Sequence, residues 1–217
     1  MRPLFQPSSD TKLRIFLVTG AAAAGALPIA MILWVRTPYV TQQYDAVDQP
    51  LAFDHRHHVR DDGIDCAYCH YEATRSPYAG VPPTSLCMNC HSQVWQESAR
   101  LEPVRASWFA DRPIRWRRVT KLPAFVYFDH SAHVSHGVGC VECHGRVDTM
   151  PRVYAVAPLT MRWCLDCHRD PDPHLRPQSE ITDMEWSPAR PRREVGAEIR
   201  AKLALAPPVE TCTGCHR

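Results

Sequence analysis

The segment Cys66-Ala-Tyr-Cys69-His70 places two cysteines three positions apart, with a histidine directly after the second. This C-x-x-C-H pattern occurs five times, and its copies use all ten cysteines of the 217-residue chain. The copies, numbered here as sites 1 to 5, are Cys66-Ala-Tyr-Cys69-His70, Cys87-Met-Asn-Cys90-His91, Cys140-Val-Glu-Cys143-His144, Cys164-Leu-Asp-Cys167-His168 and Cys212-Thr-Gly-Cys215-His216. Since the chain has only 12 histidines, their recurrence at this position indicates a shared chemical role.

C-x-x-C-H is the attachment signature of c-type haem. The two thiols bond to the vinyl groups of one porphyrin, and the adjacent histidine becomes the proximal ligand of the iron. Zinc ribbons and disulfides also use C-x-x-C pairs, but neither needs a histidine after every second cysteine. The sequence therefore predicts five covalently bound haems, with proximal ligands His70, His91, His144, His168 and His216.

A second pattern, F-D-H-x-x-H, occurs as Phe53-Asp54-His55-Arg56-His57-His58 and as Phe128-Asp129-His130-Ser131-Ala132-His133. Each copy precedes two C-x-x-C-H motifs at similar spacing, since its Phe lies 13 or 12 residues before the first of them. We therefore predict two-haem modules over about 53–91 and 128–168, and a tail with the fifth haem at 212–216. Histidines three apart lie on one side of a helical turn. The predicted distal ligands, opposite the proximal ones, are His55, His58, His130 and His133, whereas His57 is not a ligand.

The residues leave the fifth distal ligand open. The candidates are Met150, Met161, Met184, His136 and His174, with the two methionines of the second module, Met150 and Met161, as the leading ones. A Met/His pair raises the reduction potential of a haem and suits a point where electrons enter or leave, although methionine is more often a packing residue. An iron without a distal ligand would instead bind a small substrate and make the chain a reductase.

Residues 15–35, IFLVTGAAAAGALPIAMILWV, carry no charge. A helix of that length spans roughly 30 Å, the thickness of a bilayer core. Arg2, Lys12 and Arg14 precede it, so the positive-inside rule predicts a cytoplasmic tail over 1–14, a single transmembrane helix over 15–35 in contact with membrane lipid, and a periplasmic haem domain over 36–217. A cleaved signal peptide is the alternative, but the apolar run exceeds the usual h-region of about 7–15 residues.

Twenty prolines interrupt the chain, which limits regular structure. The predicted fold class is mainly coil with short α-helices at the motifs, wrapped around five haems that replace a polypeptide core, plus the N-terminal transmembrane helix. Val195, Ile199 and Leu203 repeat at four-residue spacing and predict one amphipathic helix between Pro191 and Pro207.

The net charge of +2 gives no support for nucleic-acid binding, which needs a concentrated basic surface. The sequence contains no phosphate-binding glycine loop, G-x-S-x-G motif or dinucleotide fingerprint. Residues 92–127 combine Trp95, Trp108 and Trp116 with a basic cluster, which is either a docking surface or an ordinary solvated loop around haem-padding tryptophans. The cluster consists of Arg112, Arg115, Arg117, Arg118 and Lys121.

The anchor, the five motifs, the two F-x-H-x-x-H elements and the phrases VPPTSLCMNCHS (81–92) and LTMRWCLDCHRDP (159–171) resemble the pentahaem cytochrome c subunit of alternative complex III. They also resemble the related haem subunit of periplasmic quinone reductase complexes. The resemblance covers residues from about 10 to 217 and implies mostly bis-histidine haems with one His/Met haem. Quinone reductase relatives carry six haems, so the five motifs favour alternative complex III.

This resemblance implies an electron conduit without a catalytic site of its own. The implied partners are an iron–sulfur, molybdopterin-like subunit, polytopic quinol-binding membrane subunits, and a monohaem cytochrome c, a copper protein or an oxidase as acceptor. The alternative is a stand-alone membrane-anchored multihaem quinol dehydrogenase. Such cytochromes often carry a methionine shortly after the first motif, whereas here Tyr71, Glu72, Ala73 and Thr74 follow His70.

Overall fold

The computed structural model describes residues 7–216 and divides them into two compact units, one ending at Gln42 and the other beginning at Gln43. Residues 1–6, including Arg2 of the predicted tail, and residue 217 lie outside the described residues. The first unit contains helix α1, Pro7–Trp34, and the short helix α2, Pro38–Thr41. Helix α1 begins eight residues before the predicted start and ends one residue before the predicted end, so residues 7–14 are helical.

Helix α1 is the one helix in the described part of the chain that is long and apolar enough to cross a membrane. Its 28 residues correspond to a length of about 42 Å. Arg14 and Asp10, 2.9 Å apart, form an ion pair one helical turn apart ahead of the apolar run, and Pro28 lies inside the helix. The apolar N-terminal helix is thus confirmed, and its orientation in the membrane stays a prediction.

Short helices and coil make up the second unit, and residues 43–216 contain no β-strand. Its α-helices are α3 (Cys66–Cys69), α4 (Thr84–His91), α5 (Glu102–Phe109), α6 (His130–Ser135), α7 (Cys140–His144), α8 (Met161–Arg169), α9 (Arg192–Lys202) and α10 (Cys212–Cys215). Other helical turns differ from the α-helix in width. They are a wider π-helical turn at Arg56–Asp61 and tighter 3₁₀ turns at Tyr71–Thr74, Ala99–Leu101, Val147–Thr149, Asp172–His174 and Gln178–Glu180. The predicted mixture of coil and short helices is confirmed for the described residues.

Each C-x-x-C pair lies on one of these short helices, as predicted. Side chains cap two of them: the Asp65 carboxylate accepts a hydrogen bond from the Ala67 amide (2.7 Å), and the Thr160 hydroxyl accepts one from the Trp163 amide (3.4 Å). Cysteines three apart on a helix lie on the same side. The backbone therefore presents the two thiols of every site in one direction.

Buried apolar side chains are few in the second unit. They are Leu51, Val104, Met150, Ala157, Leu175 and Ile181. So small a set of side chains contributes little hydrophobic stabilisation, because that contribution scales with the apolar area removed from water. For its length, the second unit therefore has a small apolar core.

Helix α9 packs against the 3₁₀ turn Asp172–His174. The Arg200 guanidinium donates a hydrogen bond of 2.9 Å to the Asp172 carboxylate. Gly196 is buried at the contact, where an added Cβ atom would lie only 1.8 Å from the Asp172 carbonyl oxygen. The predicted helix is present with Val195 and Ile199 half-buried, but Leu203 follows its last residue and is exposed. The closest contact of α9 requires glycine because there is no space for a side chain.

We expect Gly196→Ala to lower the stability of the haem-loaded protein by about 1–3 kcal/mol, because the methyl group must push backbone atoms apart. Thermal unfolding followed by circular dichroism measures the effect. Ala201→Ser, an exposed change on the same helix, is the control and should stay within about 0.5 kcal/mol of the wild type. Equal melting temperatures for Gly196→Ala and the wild type would contradict the tight contact.

Candidate functional site

In each F-D-H-x-x-H element, the phenylalanine ring contacts both histidine rings. Phe53 stacks on His58 with ring centroids 4.5 Å apart and meets His55 edge-on at 4.8 Å. The second copy repeats this geometry, with 4.6 Å between Phe128 and His133 and 4.8 Å between Phe128 and His130. The two copies therefore share a local structure as well as a sequence pattern.

The aspartate of each element starts the turn that carries the histidines. Its side chain accepts a backbone hydrogen bond, from Arg56 to Asp54 (2.9 Å) and from Ala132 to Asp129 (3.2 Å). Its main-chain carbonyl accepts from Nδ1 of the second histidine, at 3.1 Å for His58 and 2.7 Å for His133. Every fixed residue of the pattern thus has a role in orienting an imidazole.

A π-helical turn accounts for the spacing difference between the two copies. The Ile64 amide donates to the His58 carbonyl in the first copy (2.9 Å), and the Val138 amide donates to the His133 carbonyl in the second (3.0 Å). The first bond spans six residues and the second spans five. Since a π-turn is wider than an α-turn, residues 56–61 absorb the extra residue between Phe53 and site 1.

Three predicted distal histidines face predicted proximal ones. The ring centroids lie 6.2 Å apart for His58 and His91, 6.4 Å for His130 and His144, and 6.0 Å for His133 and His168. Two imidazoles bound to opposite sides of one metal, with metal–nitrogen bonds of about 2.0–2.1 Å, have centroids roughly 6 Å apart. These separations suit a six-coordinate iron between the rings.

The remaining two sites are arranged differently. Burial lowers the pKa of His55 to about 4, and the charge of His70 adds to this shift. His70 is therefore close enough to His55 for their charges to interact. His216 lies beside Phe125, with centroids 5.8 Å apart, and the Cys215 carbonyl accepts a hydrogen bond from the Tyr127 amide (2.8 Å). The segment before the second F-D-H-x-x-H element therefore holds site 5.

The Nδ1 atoms of six predicted ligands bond to main-chain carbonyls. Besides His58 and His133, the pairs are His70 with Gly80 (2.9 Å), His91 with Val94 (3.1 Å), His130 with Pro77 (2.8 Å) and His168 with Val209 (2.7 Å). A carbonyl can only accept, so Nδ1 must carry the proton. The lone pair is thereby placed on Nε2, the atom that would bind iron.

Burial keeps several of these imidazoles neutral. It lowers the pKa of His144 to about 4, with a smaller contribution from the charges of His130 and His70. Burial also lowers the pKa of His133. Only a neutral imidazole has a lone pair to donate, so these shifts favour the ligand form.

The arrangement of the cysteines fits covalent haem sites better than disulfides or a zinc ribbon. None of the ten cysteines forms a disulfide. Burial raises the pKa of Cys143 to about 12 and that of Cys167 to about 11. Within residues 7–216 no three His, Cys, Asp or Glu side chains converge on a metal ion. Paired thiols beside a histidine that faces a second histidine fit a c-type haem.

The candidates for the fifth distal ligand fall into different environments. Met150 is 4% exposed and packs in the protein interior, whereas Met161 is 65% exposed at the start of α8, one turn before Cys164. Burial and the nearby Cys215 thiol raise the pKa of Cys164. Met161 is thus on the helix that adjoins site 5. The other candidates lie elsewhere: Met184 lines a cavity with Cys66, His136 contacts the Ala132 carbonyl, and His174 contacts Glu142.

A buried ion-pair network supports site 3. Glu142, between the two cysteines of that site, accepts hydrogen bonds from Arg176 (2.8 Å), Arg192 (3.0 Å) and His174 (3.0 Å). The Arg176 side chain is fully buried. Burial acts to raise the pKa of Glu142, but the bonds from His174 and Arg176 and the charge of Arg192 outweigh it and lower that pKa. Glu142 is therefore ionised in the folded protein.

Two tryptophans of residues 92–127, Trp95 and Trp116, contact the first F-D-H-x-x-H element. Trp95 stacks on His57 at 5.5 Å, and Trp116 meets Phe53 edge-on at 6.3 Å. His57 lies between Trp95 and His58, outside the facing pairs. The five cations of the basic cluster, at positions 112, 115, 117, 118 and 121, are all exposed. Trp108 is exposed, like the cations, so a docking surface and a solvated loop both stay open as interpretations of this segment.

Sequence reasoning missed the groups that orient the histidines. The accepting carbonyls of Pro77, Gly80, Val94 and Val209 have no sequence signature, because any residue can supply a carbonyl. Arg176 also gave no signal, since a single arginine in a Pro-rich segment is usually exposed. The fixed Phe and Asp of the repeated pattern were visible, and their repetition was the available clue to their role.

No family model matches the chain. The chain is 33% identical over 106 residues to the multihaem cytochrome c subunit of menaquinone reductase from Nitratidesulfovibrio vulgaris. The matched region is 46% of this chain and 48% of that protein. The chain therefore spans about half the length of the curated relative it matches. This likeness supports the resemblance to the haem subunit of quinone reductase complexes. It does not single out alternative complex III.

We expect acid to destabilise the protein partly through Glu142. Because its folded-state pKa is lowered, its stabilising contribution is complete above the usual glutamate pKa of about 4.3 and is lost as pH falls through the lowered value. Glu142→Gln should therefore melt at a lower temperature at pH 7 and lose less stability on acidification. The exposed change Glu97→Gln is the control. Identical pH profiles for Glu142→Gln and the wild type would contradict this role.

Proposed function

We propose that this chain is the electron-transfer subunit of a membrane quinol:acceptor oxidoreductase of the alternative complex III type. The observation that carries the proposal is the set of three histidine pairs facing each other at 6.0–6.4 Å, each with one member in a C-x-x-C-H site. The likeness to a multihaem cytochrome c subunit of menaquinone reductase supports the quinone-linked part of the proposal.

In this proposal the ligand pairs follow the order of the two modules. His55 pairs with His70, His58 with His91, His130 with His144, and His133 with His168. The first histidine of each F-D-H-x-x-H element serves the first motif of its module, and the second histidine serves the second motif. Met161 is proposed as the distal ligand opposite His216.

Haem held at these sites would supply one-electron exchange between Fe³⁺ and Fe²⁺. If the proposed residues hold both sides of every iron, no position would remain for a substrate, and the reductase alternative would be disfavoured. Quinol chemistry, which releases two electrons and two protons, would take place on partner subunits. Electrons would then pass one at a time through this chain to a monohaem cytochrome c, a copper protein or an oxidase.

The partners proposed for the chain are an iron–sulfur, molybdopterin-like subunit and polytopic quinol-binding membrane subunits. Helix α1 is proposed as the single membrane anchor, with the haem domain on the periplasmic side. The apolar length of α1 supports the anchor, and the positive-inside rule supports the orientation.

A second candidate function reverses the direction of electron flow. The matched relative is a subunit of a menaquinone reductase, which suggests a chain that delivers electrons to quinone. The arrangement of the haem-attachment sites would be the same for both directions of electron flow. Only the reduction potentials of the donor and acceptor decide between them.

The ligand assignments predict that His133→Ala leaves one iron five-coordinate and high-spin. Optical and electron paramagnetic resonance (EPR) spectra of the oxidised protein measure this change. His57→Ala, in the equivalent module and outside the facing pairs, is the matched control and should keep the spin state of every iron. Met161→Ala should alter the iron at site 5, whereas Met184→Ala should not. A His133→Ala spectrum identical to the wild type would refute the assignment.

The conduit role predicts that the chain needs its partners for reaction with quinol. We expect the complex isolated in mild detergent to reduce its c-type haems when quinol is added, as judged by the α-band. The chain stripped of its partners should show no reduction by quinol but full reduction by dithionite. Reduction of the stripped chain by quinol would instead establish the stand-alone quinol dehydrogenase. Oxidation of pre-reduced complex by added quinone, without the forward reaction, would support the reductase direction.

A further inference from the structure

Sites 1 and 2 lie side by side. The Asn89 side-chain amide, between the cysteines of site 2, donates to the hydroxyl of Tyr68, between the cysteines of site 1, at 3.4 Å. The predicted distal ligands of both sites, His55 and His58, lie on one turn and contact one phenylalanine, Phe53. The two attachment helices of the first module are therefore direct neighbours.

Sites 1 and 3 also touch, although they belong to different modules. The Cys140 amide donates to the Ile181 carbonyl (3.0 Å), and the Cys66 sulfur lies 3.9 Å from the oxygen of the adjacent Thr182 carbonyl. The first cysteines of the two modules thus contact adjacent residues of one dipeptide, 181–182. Pro77, which follows site 1, accepts from Nδ1 of His130, the predicted distal ligand of site 3.

Site 3 adjoins site 4 in the second module. Their predicted distal ligands, His130 and His133, lie on helix α6 and contact one phenylalanine, Phe128. Gly145, directly after site 3, packs so closely against Val156 that an added Cβ atom would lie 2.7 Å from that side chain. Val156 belongs to the segment that leads into site 4.

Site 4 adjoins site 5. His168 of site 4 donates to the Val209 carbonyl (2.7 Å), and Arg169 bonds to Glu210 (3.3 Å), two residues before site 5. Sites 4 and 5 are therefore linked by both backbone and side-chain bonds.

We propose that the five attachment sites form one unbranched row in the order 2–1–3–4–5, so that sites 2 and 5 are its two ends. The proposal rests on the proposed function and adds where electrons enter and leave the chain. An independent observation agrees with it: of the ten cysteines, Cys90 and Cys212 are the exposed ones, and they belong to sites 2 and 5. A redox partner can approach an exposed end site more closely than an internal site.

The experiment uses the full-length, haem-loaded protein with a spin label built from its own iron. His58→Ala makes the iron of site 2 high-spin, which gives it an EPR signal separate from the low-spin irons. In this background, site 1 is removed by Cys66→Ala with Cys69→Ala. The matched control removes site 3 by Cys140→Ala with Cys143→Ala. Haem loss from one site is checked by haem content and mass.

We expect removal of site 1 to slow the spin relaxation of the labelled iron several-fold, because its magnetic neighbour is gone, and removal of site 3 to leave it unchanged. An equal effect of both removals would place site 2 between sites 1 and 3, in chain order, and would overturn the row. No effect of removing site 1 would overturn it as well. The readout needs no quinol, so failure of the row and failure of the quinol reaction are separate results.

If a variant does not mature, iron positions in an electron cryo-microscopy map of the wild-type complex decide the order. The row requires site 2 to have one iron neighbour, at site 1, and site 5 to have one, at site 4. Direct proximity of sites 2 and 3 would overturn it.

Discussion

The hydrogen bond from imidazole Nδ1 to a main-chain carbonyl is the interaction on which the arrangement of the sites depends. It fixes the tautomer, orients the ring and leaves Nε2 free to bind a metal. The carbonyls of Pro77, Gly80 and Val94 come from coil segments. Helices and sheets use their own carbonyls in backbone pairing, so irregular, Pro-rich backbone is what makes these acceptors available. The coil is therefore suited to the sites it surrounds.

The same irregularity leaves the polypeptide with few buried apolar side chains. Polar contacts and close packing between segments therefore supply part of the stability of the fold. Arg176 is buried against Glu142, and Gly139 makes room for it, since an added Cβ atom would lie 2.2 Å from its Nε. An isolated buried arginine would be costly, and its ion pair and hydrogen bonds offset that cost. These contacts converge on site 3, the middle of the proposed row.

The sequence alone predicted the features that depend on local spacing. The thiol pairs on short helices, the repeated histidine turn and helix α9 follow from patterns within a dozen residues. Helix α1 begins at Pro7, earlier than predicted, and its polar first turns contain the exposed Asp10–Arg14 pair, which favours helical structure. The partner of each histidine could not be predicted, since Pro77 and His130 are 53 residues apart and no sequence pattern connects them. The order of the sites depends on the same kind of distant contact.

The contact between sites 1 and 3 joins the two copies of the module at equivalent positions. Cys66 and Cys140 are the first cysteines of their modules, and both contact the dipeptide at 181–182. Residues 181–182 lie outside both modules, so a segment that is not part of the repeat brings the two first cysteines together. A change in the backbone at 181–182 would therefore alter the spacing between sites 1 and 3 without touching any cysteine or histidine.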